Sequence, residues 1–133
     1  MASALYDKGR EGFLDGSIDW DTDDVRVMLV KTGYSFNAAD DFLDHVSGSY
    51  DNGRTVALGS KTVASGVAGA AVTSLVATAA VVSIAIVIYK YNVADGAARL
   101  IAYIDGASFP FTPAASQTVN ITWDTGANKI FKL

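Results

Sequence analysis

Between Lys61 and Lys90 lie twenty-eight residues, 62–89, without one charged side chain. A chain that holds such a run must either thread it through a membrane or fold it into buried structure. About twenty mostly apolar residues cross a bilayer core, so length admits a span. Residue type points elsewhere. The run is largely Ala, Val, Thr, Ser and Ile, with Leu75 its one Leu and Gly at 66 and 69. β-branched side chains are crowded at χ1 in a helix and fit a pleated surface, so the run is expected to form strands. The alternative is a small membrane-anchored protein spanning with residues 62–89, with Lys61 and Lys90 at opposite interfaces.

At 133 residues the chain is read as a single domain, 1–133, long enough for a real core. Only 18% of residues are charged, below the usual quarter or so, and half are hydrophobic. That balance predicts apolar surface covered by a partner, and hence a homo-oligomer or a larger assembly. The ten basic residues are scattered and the formal charge is −4, which argues against nucleic acid as a partner. Cysteine is absent, so disulfides, thiolate metal sites and thiol nucleophiles are excluded together. The first thirteen residues lack the apolar centre of a signal peptide, and production in the cytoplasm is expected.

The local pattern is mainly β. Residues 3–14 read as a short helix with Ser3 as N-cap, Gly16 as stop, and Leu5, Tyr6, Phe13 and Leu14 on one face, although Gly9 and Gly12 weaken it. An acidic turn surrounds Trp20 at 19–24, and 25–31 then becomes apolar on both faces, as an inner strand does. A minor helix is expected within 38–46, with Phe42 and Val46 inward and Asp40, Asp41 and Asp44 outward. Asp51-Asn52-Gly53 reads as a hairpin turn before a strand at 54–58, and 61–67 as extended chain. Residues 81–91 place Val82, Ile84, Ile86 and Ile88 on one face and smaller residues on the other, a strand packed on both sides. Asp95-Gly96 turns into a strand at 99–105. Pro110 and Pro113 make 106–115 a loop. Val119, Ile121 and Trp123 alternate inward along 118–123, and 124–126 turns into a closing strand at 129–133. Short strands broken by turn residues predict a β-sandwich or barrel-like domain with a short N-terminal helix and one minor helix.

Catalytic and metal chemistry is hard to assemble from these residues. Asp19, Asp21 and Asp23 have the spacing that opens a calcium loop, yet Asp24 stands where the loop needs Gly and Val30 where it needs the bidentate Glu. Gly59-Ser60-Lys61-Thr62 resembles the end of a phosphate-binding loop, with Ser60 interrupting the Gly-Lys pair. His45 is the only histidine, so a hydrolase would have to work through it and the carboxylates nearby. A polar surface His is the simpler reading. The Asn120-Ile121-Thr122 sequon matters only in a secreted chain. Trp20 and Trp123 could stack on sugars or bases, although at strand spacing they are more often core or interface. No enzyme activity, cofactor or metal is expected.

Three segments carry a resemblance. LYDKGREGFLDGSIDWDTDDVRVMLV (5–30), the pair IVIYK (86–90) and RLIAYID (99–105), and ITWDTGANKIFKL (121–133) together resemble a family of small virion structural proteins of tailed bacteriophages, the terminal NKIFKL being the most specific mark. The chain departs from that family at 68–82, AGAAVTSLVATAAVV, where such proteins tend to carry acidic and aromatic residues. The resemblance implies a subunit present in many copies on the particle. It is read as a capsid decoration, or cement, protein at the virion surface, made in the bacterial host cytoplasm. The alternative is a tail or neck component. The major capsid protein is the implied partner, and a symmetric homo-oligomer, as a trimer, the implied state. Edge strands leave backbone groups unpaired, which makes Leu5, Tyr6, Phe13, Lys129, Ile130, Phe131 and Leu133 the candidate assembly contacts. The same residues could instead close the protein's own sheet and core.

Overall fold

A strand that is apolar on both faces needs cover on both, and the fold is organised around two such strands. In the computed structural model, which describes residues 4–133, the elements are β1 (Ala4–Leu5), α1 (Asp7–Asp15), β2 (Val25–Lys31), α2 (Asp44–Tyr50), β3 (Asp51–Arg54), β4 (Thr62–Ala64), β5 (Val67–Gly69), β6 (Thr73–Val76), β7 (Ser83–Lys90), β8 (Leu100–Ile104), β9 (Thr118–Ile121) and β10 (Phe131–Lys132). The chain is mainly β, as its pattern predicts. Three antiparallel sheets form: a central one ordered β1-β8-β7-β2-β3, and two small ones, β10-β5-β4 and β6-β9. The β2–β7 ladder runs from Val25↔Lys90 to Lys31↔Ser83 at the centre.

The central sheet buries both faces. Val25, Val27, Leu29, Ile86, Ile88 and Ile101 pack against the small sheets together with Trp20, Ala68, Leu75 and Ile121. Met28, Val30, Ala85, Val87, Tyr89 and Leu100 face the other way and are covered by Tyr6, Tyr34, Leu43 and Val46. This alternation follows from the period of two along each strand. It breaks at the start of β7, where the ladder shifts register: Ile84, expected beside Ile86 and Ile88, packs with the second set, and Val82 lies before the strand, 40% exposed.

The charge-free run does not span anything as a helix. It is divided among β4, β5, β6 and β7, in three different sheets, and among the described residues no helix is long and apolar enough to cross a membrane. Its first hairpin was not foreseen. Ser65 (φ 53°) and Gly66 (φ 77°) make a two-residue turn with positive φ at both central positions, which suits the twist of β4 and β5.

Other local expectations need correction. The N-terminal helix starts at Asp7 rather than residue 3, because Leu5 is drawn into β1 opposite Ala102 of β8; Ser3 lies outside the described residues. Gly16 ends α1 with φ 79°, as expected, but Leu14 points to solvent, 89% exposed. Gly9 and Gly12 are what let α1 sit down. A Cβ at Gly9 would lie 2.7 Å from the Ile101 carbonyl oxygen, and one at Gly12 would strike the Ile18 side chain. The minor helix is shifted to Asp44–Tyr50, since Phe42 bridges Arg99 and Leu43 donates to the Ala98 carbonyl.

Asn52-Gly53 is not a hairpin turn. Both residues lie inside β3, with Asn52 fully buried. Its side-chain amide donates to Ser83 Oγ (3.0 Å) and accepts from Thr78 Oγ1 (3.0 Å) and the Ala79 N–H (2.9 Å). Gly53 is required because a Cβ there would collide with the Val76 carbonyl oxygen. The closing strand is confined to Phe131–Lys132 and pairs with β5, Phe131 opposite Ala68.

Candidate functional site

α1 and β10, which lie near the two ends of the chain, meet at one corner of the fold. Phe13 on α1 and Phe131 on β10 have ring centroids 5.8 Å apart, and Trp20 meets Phe131 edge-on at 5.2 Å. Trp20 is held by its indole N–H, which donates to the Gly69 carbonyl at 3.0 Å. Around this cluster runs a shallow cleft of about 340 Å³, lined by Ile18, Val63, Val67 and Leu133 with Asp19 and Asp21 at its rim. Aromatic floor and acidic rim make the corner an apolar surface with a partial negative edge.

The candidate contacts therefore divide. Phe13, Ile130 and Phe131 come together against the core, Leu133 remains 58% exposed beside them, and Lys129 is exposed along the neighbouring groove. Leu5 packs against the same core from β1. Tyr6 does not reach the surface. It is fully buried, its hydroxyl 3.0 Å from that of Tyr34, so it closes the protein's own second core rather than offering a contact.

A polar chain continues from Tyr6. Tyr34 donates to Asp40 Oδ2 at 2.8 Å, and Asp40 Oδ1 lies 3.3 Å from His45 Nδ1. His45 Nε2 faces Asp41 at 3.1 Å. Both ring nitrogens thus point at carboxylates, an arrangement that holds a segment together but leaves neither nitrogen aimed at a hydroxyl nucleophile. Burial pushes the Tyr34 phenol up to about 12 and the Tyr6 phenol higher still, so both remain neutral donors.

The Asp19–Asp24 turn is used structurally. Asp23 Oδ2 accepts from the Asp19 N–H at 2.7 Å and pairs with Lys90 at 3.0 Å. Hydrogen bonds from Asp21 and Thr22 hold the Asp19 carboxyl below its ordinary range, while the bond to Asp19 and that neighbour's charge push Asp21 up. Among the described residues no group of three or more His, Cys, Asp or Glu side chains is placed to hold a metal ion.

Sequence reasoning missed an open groove of about 950 Å³ beside β9. Ile104, Phe109, Phe111, Ile121, Trp123 and Ile130 give it an apolar lining. Trp123 and Ile121 were signalled by their alternation. Phe109 and Phe111 flank Pro110 in a loop, where no period marks a residue as buried. No protein-family model matches the chain, and neither a curated protein nor a solved structure shows significant similarity to it.

Proposed function

We propose that this chain is a non-enzymatic structural protein of a tailed bacteriophage, a capsid decoration (cement) subunit that binds the assembled shell and stabilises it. The observation that carries the reading is the outer layer. Residues 62–82 are free of charge, yet Val63, Val72 and Val76 are 58%, 70% and 54% exposed. A free monomer gains nothing from valines at such positions, and a surface that a partner covers does. The family-like segments at both ends, 5–30 and 121–133, supply the particle context. The partner is the major capsid protein, and a homo-oligomer, with three copies as the first expectation, seats the subunit on a symmetry axis.

The mechanism is mass action. A subunit that binds the expanded shell and not its disassembled parts adds its binding free energy at every site it occupies. Particles lacking the protein should assemble but release DNA at lower temperature or milder osmotic shock, and purified protein added back should restore them. Depleted particles of unchanged robustness that lack tails would replace this reading with the tail or neck one.

A further inference from the structure

We infer that the outer edge of β9, with the groove beside it, accepts an extended segment of another chain as an added strand. The inference stands apart from the virion reading and concerns a different surface from the Phe13–Phe131 corner.

The register decides which backbone groups are free. β9 pairs with β6 alone, Leu75 opposite Val119 and Val76 opposite Thr118. In an antiparallel ladder, pairs that exchange hydrogen bonds alternate with pairs that do not. The Ala77 N–H donates to the Gln117 carbonyl at 2.9 Å, which makes Leu75–Val119 and Thr73–Ile121 the bonded pairs. The Val76 carbonyl agrees, since it faces Gly53 on the far side from β9. Thr118 and Asn120 therefore turn their N–H and C=O groups away from β6, to an edge where no other strand of the described residues lies. Such a row templates one more strand.

The groove supplies the rest of the recognition. Its near wall is β9 and its far wall the 106–111 loop, anchored by reciprocal backbone bonds between Ser83 and Phe111 of 2.8 and 3.1 Å. Leu29, Ile86 and Ile104 of the central sheet form the floor. That wall also argues against a second copy pairing through its own β9, because a folded sheet would have to pass through the loop. The lining charges are Asp124 and Lys129, one of each sign, so the occupant is recognised by backbone and by shape. It is an extended segment with bulky apolar residues at alternate positions, which would point down onto Ile86 and Ile104 while its backbone bonds Thr118 and Asn120.

The test uses the whole chain and a seven-residue peptide alternating Thr with Val or Ile, capped at both ends. Backbone amide exchange should slow at least tenfold at Thr118 and Asn120 on saturation, with exchange at Ser74 unchanged. The same peptide N-methylated at alternate residues keeps its side chains and should lose this protection and at least tenfold in affinity. Leaving the protein unaltered avoids any question of folding. Phe111→Ala should weaken binding of the unmethylated peptide as a second reading of the groove. Absence of binding at millimolar peptide, or binding that is indifferent to N-methylation, would overturn the inference. So would protection of these amides that grows with protein concentration alone, which would assign the edge to a second copy.

Discussion

β2 and β7 bury Val, Ile, Leu and Met on both faces and carry ion pairs at their ends, Arg26 on Asp24 and Lys90 on Asp23. The layer above them is built differently. It buries Ala68, Leu75, Ala77 and Ile121, turns Val63, Val72 and Val76 to solvent, and draws on the charge-free run for β4, β5 and β6. The central sheet has what an isolated domain needs: long ladders, large side chains and two covered faces. The outer layer has strands of two to four residues and an open groove. The buried bulk is thus concentrated in the central sheet, while exposed apolar side chains occur in both regions, Val72 and Val63 in the outer layer and Leu14 and Val93 outside it.

The comparison breaks first if the core is not where the strength lies. Ile88→Ala, at a fully buried position between the layers, should cost about 2–5 kcal/mol in urea unfolding. A loss no larger than that of an exposed valine would contradict the division. Gly9→Ala comes next and tests the sign of a packing argument. A helix interior normally gains about 1 kcal/mol from this change, yet the contact with the Ile101 carbonyl should make the variant less stable by about 1–3 kcal/mol. Thermal unfolding above the wild-type midpoint would show that α1 does not depend on that close approach.

A smaller effect is expected where the central sheet meets its own connection. Arg54 grips Asp95 through two bonds of 2.8 and 2.7 Å, and that bond chiefly holds the Asp95 carboxyl below its ordinary range. Both side chains are about a third exposed, so Asp95→Asn should cost about 1 kcal/mol at neutral pH. A depressed carboxyl stabilises the fold above its unfolded value of about 3.9. That contribution fades as pH falls through the folded value, so the gap between variant and wild type should close on acidification. A gap that is constant down to pH 2 would mean the ion pair is not its source. The smallest change belongs to the outer layer. Val63→Thr should shift stability by no more than about 0.5 kcal/mol, and a larger loss would show that this valine is already packed in the isolated chain.

The same contrast explains what the sequence disclosed. β2, β7 and β9 were legible because burial on two faces, or on one, leaves a run or an alternation that nothing else produces. Leu14 was misplaced by a helical period that the glycine face overrode. Asn52-Gly53 was misread because a dipeptide that suits a tight turn also suits a buried amide beside a close backbone crossing, and only the position of Val76 distinguishes them. The Ser65-Gly66 hairpin was hidden inside a stretch read as extended. Of the candidate contacts, the Phe13–Phe131 corner was recoverable from apolar residues near both ends, whereas the groove beside β9 depends on Phe109 and Phe111, whose loop follows no period.

Asn52 fixes how the outer layer can come apart. Its amide reaches Thr78, Ala79 and Ser83, partners 26, 27 and 31 residues along the chain. Lifting the 77–82 link therefore leaves the buried Asn52 side-chain carbonyl without its two donors, Thr78 and Ala79, while its N–H keeps Ser83 of β7, and that loss couples the link to the edge strand holding Asn52. A protease that needs several extended residues should find none in 77–82 until β3 itself has opened, whereas the 65–66 turn, outside this latch, is open to local fraying and nicking.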